Sequence, residues 1–351
     1  MRLTAGGIKA HARSIGFDLC GVAPADALPE LRLLREWLAR GHAGTMGYLS
    51  RTAARREDVR RVLPSARSVI VTGTIYNTDR PYSVGVGDPD QAIISRYAWG
   101  DDYHDVLGHR LEMLLQWMRS EHAEPFEART YVDTGPVQER VYAQYAGIGW
   151  VGKNTCLINE RLGSWVFLSE IICSLPLDPD PPALDQCGTC ALCLEACPTG
   201  ALVEPRVLDA TRCLSYLTIE LKGEIPAPLR EAVGQRIYGC DICQDVCPWN
   251  GSAATSNEAE WQPRPGLDQP RLADLWHRTD RELAELVVGS ALTRPKVAGL
   301  RRNLAIGLGN SRSAASRSAL GDTDRPADSA PSLRDPMVAT HIWWAKTRKL
   351  D

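Results

Sequence analysis

Two kinds of hydrophobic pattern alternate along the first half of the chain. Apolar and β-branched residues cluster in three short runs, at 68–76, 128–133 and 164–173, and each run predicts a buried β-strand. Leucine and methionine recur at helical spacing over residues 105–118, which predicts an amphipathic helix. Strand and helix patterns that alternate in this way indicate an α/β or α+β domain.

The second half of the chain has a different pattern. A proline-rich segment, residues 174–185, predicts a domain boundary, and a cysteine-rich window follows it. Residues 311–332 are predicted to form a polar loop. Four further stretches have helical patterns, at 272–276, 280–288, 295–308 and 338–349. Short helices in succession suggest a helical-repeat region.

Length, composition and charge narrow the class of protein. A chain of 351 residues suggests two or three domains, and 44% hydrophobic with 24% charged residues is ordinary globular usage. We find no secretory signal and no apolar stretch of the roughly 18 residues that span a bilayer, so we expect a cytoplasmic protein without a membrane partner. The net charge of −3 excludes a uniformly basic nucleic-acid binder but allows a local basic face.

Cysteine is the residue type that departs from ordinary usage. The chain has 11 cysteines, and eight of them lie within one window of 61 residues. In a reducing compartment such a cluster more often binds metal or carries out redox chemistry than forms disulfides. The first four are spaced Cys-x2-Cys-x2-Cys-x3-Cys-Pro, as in the bacterial ferredoxin segment that binds a [4Fe–4S] cluster.

The second cysteine segment is spaced Cys-x2-Cys-x3-Cys-Pro, which matches the last three cysteines of another such run. Cys213 can supply the missing first member. In two-cluster ferredoxins the fourth cysteine of a run ligates the other cluster, so the eight thiols divide into two crossed sets. Thiol group one is Cys187, Cys190, Cys193 and Cys247, and thiol group two is Cys197, Cys213, Cys240 and Cys243.

Zinc is the alternative ligand for these thiols. Two Cys-x2-Cys pairs can form a four-cysteine zinc site, although the usual gap between such pairs is shorter than the one here. A zinc site would not need eight thiols with two Cys-Pro endings. The spacing therefore favours two [4Fe–4S] clusters over zinc or structural cysteines.

A glycine-rich segment, residues 147–155, contains the pattern Gly-x-Gly-x-x-Gly. It also falls one residue short of a P-loop, because Asn154 stands where Ser or Thr would bind Mg²⁺. A dinucleotide site needs a strand before this pattern and a helix after it, whereas a helical pattern precedes it here. We therefore expect neither a dinucleotide nor an NTP site, although glycines also let the backbone approach another large ligand.

Asp133 lies at the end of a predicted strand, directly before a tight turn. An acid in this position is often only a turn former or a helix cap. The functional alternative is a carboxylic acid whose pKa is raised by partial burial, so that it donates a proton. The polar and aromatic segment 95–105 is typical of a ligand pocket. His104 within it, taken alone, is more often structural than catalytic.

Several segments together resemble the epoxyqueuosine reductases, cobalamin-dependent iron–sulfur enzymes that complete queuosine synthesis in tRNA. The resemblance extends over most of the chain, whereas the cysteine segments alone would indicate only an electron-transfer module. It rests on residues 94–104, 131–158, 163–171 and 302–311, together with both cysteine segments.

This resemblance implies an α+β multidomain fold and a reaction. It implies an N-terminal α/β domain that binds cobalamin (1–180), a ferredoxin-like domain with two [4Fe–4S] clusters (181–260) and a HEAT-like helical region that contacts tRNA (261–351). The cobalamin would be base-off, with no protein ligand on the lower face of cobalt. The enzyme, an oxidoreductase and a monomer, would reduce epoxyqueuosine at the wobble position of a tRNA anticodon stem-loop to queuosine. A low-potential donor such as flavodoxin or ferredoxin would supply the electrons.

The resemblance also implies roles for individual residues. Asp133 corresponds to the proton donor of the family, and Arg140 and Lys222 correspond to positions expected to contact tRNA. The residues expected to line the cobalamin are Arg56, Arg96, Tyr97, Asp133, Lys153, Asn154, Leu157, Leu168 and Ser215.

We expect electrons to pass from the cluster of thiol group two to that of group one and then to cobalamin. Asp133 would protonate the epoxide oxygen as its bond to carbon breaks. Two alternatives remain open at this point. A reductive dehalogenase-like enzyme acting on a small molecule would not need the helical C-terminal region, and a ferredoxin fused to a binding module would not need Asp133.

Binding of tRNA by a chain of net charge −3 requires a local basic face. The C-terminal helical region carries enough basic residues to form one, although a solvated helix face has the same composition. The candidates are Arg301, Arg302, Arg312, Arg317, Lys346, Arg348 and Lys349.

Overall fold

The computed structural model describes residues 3–321 and 329–348. Within these ranges the strands are β1 (Leu19–Pro24), β2 (Ser68–Ile75), β3 (Ile93–Ile94), β4 (Ala128–Tyr131), β5 (Trp150–Val151), β6 (Leu157–Ile158), β7 (Val166–Cys173), β8 (Leu202–Glu204), β9 (Val207–Leu208) and β10 (Arg236–Tyr238). The α-helices are α1 (Ala5–Ser14), α2 (Leu33–Ala39), α3 (Gly47–Arg56), α4 (Tyr103–Glu121), α5 (Glu139–Tyr145), α6 (Leu192–Glu195), α7 (Ala227–Val233), α8 (Ile242–Asp245), α9 (Leu272–His277), α10 (Asp280–Val287), α11 (Lys296–Asn310), α12 (Ala314–Ala319) and α13 (Pro336–Thr347).

The N-terminal region is built on a four-stranded sheet with the order β1-β2-β7-β4. All eight residues of β2 are buried, because α1 and α4 cover one face of the sheet and α5 with residues 25–66 covers the other. A strand that is covered on both faces is apolar along its whole length. Such strands therefore appear in the sequence as continuous apolar runs, and these runs predicted them. The three predicted strands and the helix at 105–118 are confirmed, each with small shifts at its ends.

The sheet differs from the predicted α/β domain in one respect. Its three strand pairs are all antiparallel. An α/β domain is built on parallel strands joined by crossover helices, so the arrangement is α+β. The mixed helix and sheet content is confirmed. Of the two classes that the residue pattern allowed, α/β and α+β, the antiparallel sheet is α+β, and residue patterns do not reveal strand direction.

The C-terminal helices pack around α11. Residues 299–309 of this helix are all buried, and it contacts α13, α9 and α7. Gly309 lets α13 come close, since a Cβ at this position would lie 2.6 Å from the Cβ of Ala345. The four predicted helices are confirmed, whereas the predicted loop at 311–332 contains α12, which the Ser313 side chain caps. The HEAT-like character of the C-terminal helices stays a prediction.

Segments from the three predicted domains meet in a shared core. Ile94 and Ala98 pack in the same hydrophobic cluster as Leu304 and Leu308 of α11. Strand β3 also pairs in parallel with β10, which belongs to the cysteine-rich region. The segment that leads into α4 is therefore held by both later regions. The predicted domain boundaries stay predictions.

Two arginines of the predicted basic face lie in the core. Arg301 and Arg302 are 0% exposed. The Arg301 guanidinium donates to main-chain carbonyls at the end of α9. That of Arg302 donates to the carbonyl groups of Leu217, Leu221 and Gly223. The expectation that these two residues contact tRNA is wrong, because the charged groups are needed to satisfy carbonyl groups inside the protein.

The rest of the predicted basic face is divided. Arg312, Arg317 and Lys346 are exposed, while Arg348 bonds to Asn310 and forms a 2.7 Å ion pair with Glu231. Lys349 lies outside the described residues. In the described ranges, no helix combines the length and the apolar character that crossing a membrane requires.

Replacing Arg302 with leucine should lower the free energy of unfolding by about 3 kcal/mol or more, because several buried carbonyl groups would lose their donor at roughly 1–3 kcal/mol each. Arg317→Leu, on an exposed site, should change it by less than about 0.5 kcal/mol. Urea denaturation of anaerobically purified protein, followed by circular dichroism, checks both. Equal stability of the two variants would contradict the structural role of Arg302.

Candidate active site and cluster cysteines

A cavity of about 400 Å³ lies where the N-terminal region meets the cysteine-rich segments. This volume falls within the range of small-molecule and cofactor sites. The N-terminal region contributes aromatic and aliphatic side chains, among them Tyr97, Tyr103, Phe167 and Leu168. Tyr103 stacks on Phe167 with ring centroids 4.5 Å apart, which gives this part of the lining a flat surface. The cavity also receives the carboxylate of Asp133.

A hydroxyl group holds Asp133 at the cavity, and an imidazole group lies beside its carboxylate. The Tyr103 hydroxyl donates to Oδ2 of Asp133 over 3.0 Å, and Nε2 of His104 lies 3.5 Å from the same oxygen. Asp102 orients the imidazole, since its Oδ1 lies 2.7 Å from His104 Nδ1. The side chain of Asp133 is 62% exposed, so its carboxylate is open to a ligand in the cavity.

The electrostatics of Asp133 contradict the expectation of a raised pKa. Partial desolvation at the cavity would by itself raise the pKa of its carboxyl group, but the adjacent His104, the hydrogen bond from Tyr103 and the charge of Arg140 together outweigh it and lower the pKa. Burial alone would lower the pKa of His104, but the carboxylates of Asp102 and Asp133 raise it to about 9. At neutral pH the proton of the pair therefore resides on His104.

Two further carboxyl groups lie behind Asp133, and the sequence analysis missed both. Oε1 of Glu139, in the first turn of α5, accepts the backbone N–H of Asp133 over 2.6 Å. The Glu139 carboxyl also contacts that of Glu170, a fully buried residue in the middle of β7. A glutamate inside a strand of otherwise uncharged, largely apolar residues was the available signal, because such a residue is rarely buried without a partner.

The eight thiols come together in the two expected sets. Thiol group one lines a separate cavity of about 220 Å³, whereas all four cysteines of group two line the 400 Å³ cavity. Cys247 thus joins the first run and Cys197 the second, as the crossed assignment requires. Cys156 also lines the larger cavity, and its thiol contacts Cys243. Ligation of iron by these sets stays a prediction.

Each set is suited to a ligand larger than one ion. Across the described residues, no three or more Cys, His, Asp or Glu side chains are arranged to hold a single metal ion. A zinc ion requires sulfur atoms at about 2.3 Å, whereas four thiols around a cavity suit a cuboidal cluster. The donor sets therefore fit [4Fe–4S] clusters.

The two thiol sets differ in their position relative to the cavity that contains Asp133. Group two, not group one, adjoins the cavity that contains Asp133, and Cys190 of group one is exposed. Asn154 connects them: it lines both cavities, and its Nδ2 donates to the Cys243 carbonyl over 3.1 Å. Spacing within the runs does not reveal which set faces the N-terminal region, and the order of electron transfer stays a prediction.

The other predicted cofactor and tRNA residues fall into two sets. Five line the cavity with Asp133, namely Tyr97, Arg140, Asn154, Leu168 and Ser215. Five do not, namely Arg56, Arg96, Lys153, Leu157 and Lys222.

The residues outside the cavity have other contacts. Arg96 is 2% exposed, and its guanidinium donates to three main-chain carbonyls at residues 78–81. Lys153 donates to two carbonyls of the group-one loop, and Lys222 donates to that of Arg294. Arg56 donates to the Val137 carbonyl behind the Asp133 loop, and Leu157 packs in the core. None of the five lines the cavity with Asp133, because main-chain carbonyl groups and the core engage these side chains, and their contacts with cobalamin or, for Lys222, with tRNA stay predictions.

The glycine-rich segment forms a hairpin and not a nucleotide loop. Helix α5 precedes it, and β5 within it pairs with β6, which follows it. At Gly149 a Cβ would lie 2.3 Å from the Ile158 carbonyl oxygen, so glycine is needed for the close approach of the two strands. This confirms the expectation that the context fits neither a dinucleotide site nor a P-loop.

Family models and named relatives of this chain agree on one family. A model described as epoxyqueuosine reductase QueG matches residues 56–134, and a model described as a 4Fe–4S double cluster binding domain matches residues 186–250. A protein of Gloeobacter violaceus named epoxyqueuosine reductase is 46% identical over 89% of this chain and 98% of its own length. The Escherichia coli protein of the same name is 35% identical over 98% and 89%, respectively.

Solved structures are similar over nearly the whole chain. The epoxyqueuosine reductase of Streptococcus thermophilus has a TM-score of 0.84 and 30% identity, covering 98% of this chain and 90% of its own. An epoxyqueuosine reductase with an epoxyqueuosine-modified tRNA stem loop has a TM-score of 0.83 and 32% identity, covering 97% and 88%. A structure of the Bacillus subtilis enzyme, with a TM-score of 0.82 and 32% identity over 97% of this chain and 88% of its own, is described with its catalytic aspartate loop swung out of the active site.

The crossed thiol sets predict paired losses of iron. Replacing Cys247 with alanine should remove the same cluster as replacing Cys187, and Cys197→Ala should remove the same cluster as Cys213→Ala, leaving about four irons per chain in each case. Cys173→Ala, a buried cysteine outside both sets, should keep about eight. Iron and sulfide analysis with electron paramagnetic resonance of the reduced proteins checks this. If Cys247→Ala shared the spectrum of Cys213→Ala, the crossed sets would be wrong.

Proposed function

Because this chain belongs to the epoxyqueuosine reductase family, we propose that it reduces epoxyqueuosine to queuosine at the wobble position of tRNA. The family is one of oxidoreductases. The observation that carries the proposal is the position of Asp133, whose carboxylate faces a cavity lined by the four thiols of group two. This arrangement supports a proton-transferring group and a redox centre that face one substrate space. Family membership also argues against the alternatives of a small-molecule dehalogenase and a simple electron-transfer module.

Two kinds of cofactor fit the residues present. The two thiol sets would hold [4Fe–4S] clusters. The 400 Å³ cavity combines flat aromatic and aliphatic surfaces with polar groups such as Ser215, Thr155 and Gln244, which suits a macrocycle with amide arms such as cobalamin. Base-off binding, with no protein ligand to cobalt, stays a prediction. Bound cobalamin would supply low-potential electrons next to the substrate.

The arrangement of the thiol sets supports one direction of electron transfer. An external low-potential donor would reach thiol group one, where Cys190 is exposed. Group two, whose cysteines line the larger cavity, would then pass electrons to that cavity. Flavodoxin or ferredoxin as the donor, the monomeric state and the cytoplasmic location stay predictions.

Removal of the epoxide oxygen consumes two electrons and two protons and releases one water. The chain provides the first proton through the His104–Asp133 pair, because His104 holds a proton at neutral pH and Asp133 faces the cavity. As negative charge develops on the epoxide oxygen, the proton passes from His104 to Asp133 and from Asp133 to that oxygen. His104 also lines an open cavity of about 330 Å³, from which solvent returns a proton to the pair for the second transfer.

The tRNA anticodon stem-loop is the proposed substrate, and a similar enzyme has been crystallised with such a stem loop. Arg140 is exposed and lines the cavity, which is the position expected for a phosphate or base contact. The exposed Arg312, Arg317 and Lys346 are the remaining candidates for a basic face on the helical region, for which HEAT-like repeats are proposed.

The proposed reaction has a direct test. Anaerobic protein loaded with both clusters and cobalamin, given a low-potential reductant and tRNA that carries epoxyqueuosine, should form queuosine.

Asp133→Asn should keep the cofactors but lose about 10²–10⁴-fold in kcat, the usual contribution of a proton donor. Nucleoside analysis by mass spectrometry measures turnover, and visible absorbance measures cofactor content. Asp178→Asn, an exposed acid outside the cavity lining, is the control. Absence of queuosine from fully loaded wild type would refute the proposed function, and full turnover by Asp133→Asn would refute the role of Asp133.

The raised pKa of His104 predicts an alkaline limit of activity. In wild type kcat/KM should fall as the pH rises through about 9, because the imidazolium form, which carries the proton, is lost above that pKa. His104→Asn should lower activity by about 10²-fold and abolish this limb of the profile. His109→Asn, on the exposed face of α4, should leave the limb in place. An unchanged profile in His104→Asn would contradict the proton relay.

A further inference from the structure

Glu170 is an acid in surroundings that disfavour a charge. It lies in the middle of β7, is 0% exposed, and its register partners are Val71 on β2 and Tyr131 on β4. Within the described residues, neither carboxyl oxygen of Glu170 has a hydrogen-bond donor. A carboxylate without donors is far more costly to bury than a carboxylic acid, so Glu170 is held in its neutral form.

The group that Glu170 contacts is another carboxyl, that of Glu139. Two carboxyl groups in contact share a proton, because both cannot ionise at short distance. Burial and the neighbouring charge of Asp133 raise the pKa of Glu139 to about 7, and burial together with Glu139 raises that of Glu170 well above its usual range. The guanidinium groups of Arg56 and Arg140 also face the pair and partly offset its charge.

Glu139 in turn fixes the backbone of Asp133. Its Oε1 accepts the Asp133 N–H over 2.6 Å, across the turn that joins β4 to α5. Asp133 has a φ of 55°, in the left-handed region that a residue with a side chain adopts at a cost of about 1–2 kcal/mol. The bond from Glu139 therefore stabilises an otherwise unfavourable conformation, and this conformation directs the Asp133 carboxylate into the cavity.

We propose that Glu139 and Glu170 share one proton and act together as a latch that positions Asp133. Glu170 donates the shared proton to Glu139, and Glu139 accepts the Asp133 N–H with its other oxygen. Both glutamates are positioning residues: they act through Asp133 and need no contact with substrate. This inference rests on the proposed function, because Asp133 is positioned for the proton transfer to the epoxide oxygen.

The latch explains why an acid occupies the centre of a buried strand. An apolar residue at position 170 would pack in the sheet at no electrostatic cost but would leave the Glu139 carboxyl without a donor. Glu139 would then either ionise in a poorly solvated site or turn toward solvent, and both changes weaken its bond to Asp133. Glutamine at position 170 differs, because its amide N–H is a permanent donor of nearly the same shape.

Two variants of Glu170 separate positioning from packing. Glu170→Gln should keep kcat within about threefold of wild type, because the amide replaces the shared proton. Glu170→Leu should lower kcat by about 10²-fold, the effect of a misplaced catalytic group, while KM for tRNA changes less than about twofold. Glu124→Gln makes the same substitution at an exposed glutamate that does not line the cavity, and it is the control. If Glu170→Gln lost as much kcat as Glu170→Leu, the latch would be refuted.

Infrared spectroscopy tests the shared proton without turnover. At neutral pH the wild type should show a carbonyl stretching band of a protonated carboxyl group that disappears in Glu170→Gln and remains in Glu124→Gln and Asp133→Asn. This measurement also decides the matter if Glu170→Leu fails to fold. An unchanged band in Glu170→Gln would overturn the shared proton. A band that behaves as expected in protein that forms no queuosine would instead count against the proposed function alone.

Discussion

The antiparallel register between β4 and β7 fixes the geometry on which the site depends. It sets Tyr131, the last residue of β4, opposite Glu170. Asp133 follows two residues after the strand ends. The same strand presents Phe167 and Leu168 to the cavity. Since side chains alternate along a strand, a slip of one residue would turn Glu170 to the opposite face of the sheet and remove the carboxyl partner of Glu139. The long pairing of β7 with β2 over eight residues opposes such a slip.

Around this register the molecule brings together groups that are distant along the chain. Asn154 belongs to the glycine-rich hairpin, yet it lines both thiol cavities. Residues 92–98 pack with α11, and β3 pairs with β10. The three regions thus act as one support for the 400 Å³ cavity. Buried arginines complete this support, since Arg96 and Arg302 donate to carbonyl groups that would otherwise be unsatisfied in the interior.

The chemistry proposed for the cavity depends on charges that are shared between neighbours. Asp133 is ionised because His104 and Tyr103 stabilise its carboxylate, and His104 is protonated because two carboxylates face it. Behind them, Glu139 and Glu170 are in contact and burial favours one proton between them. His104, Glu139 and Glu170 thus have protonation states at neutral pH that they would not have in water, so these three states do not follow from the residue type.

The sequence alone determined the features that follow from local spacing. Buried runs predicted β2, β4 and β7, and the cysteine runs predicted which thiols come together, because in two-cluster ferredoxins the fourth cysteine of one run joins the set of the other. Tertiary structure alone decided the rest. It made the sheet antiparallel, placed thiol group two at the cavity, buried Arg301 and Arg302, and lowered the pKa of Asp133. Strand direction, burial and pKa depend on neighbours far away in the chain, and residue spacing carries no information about them.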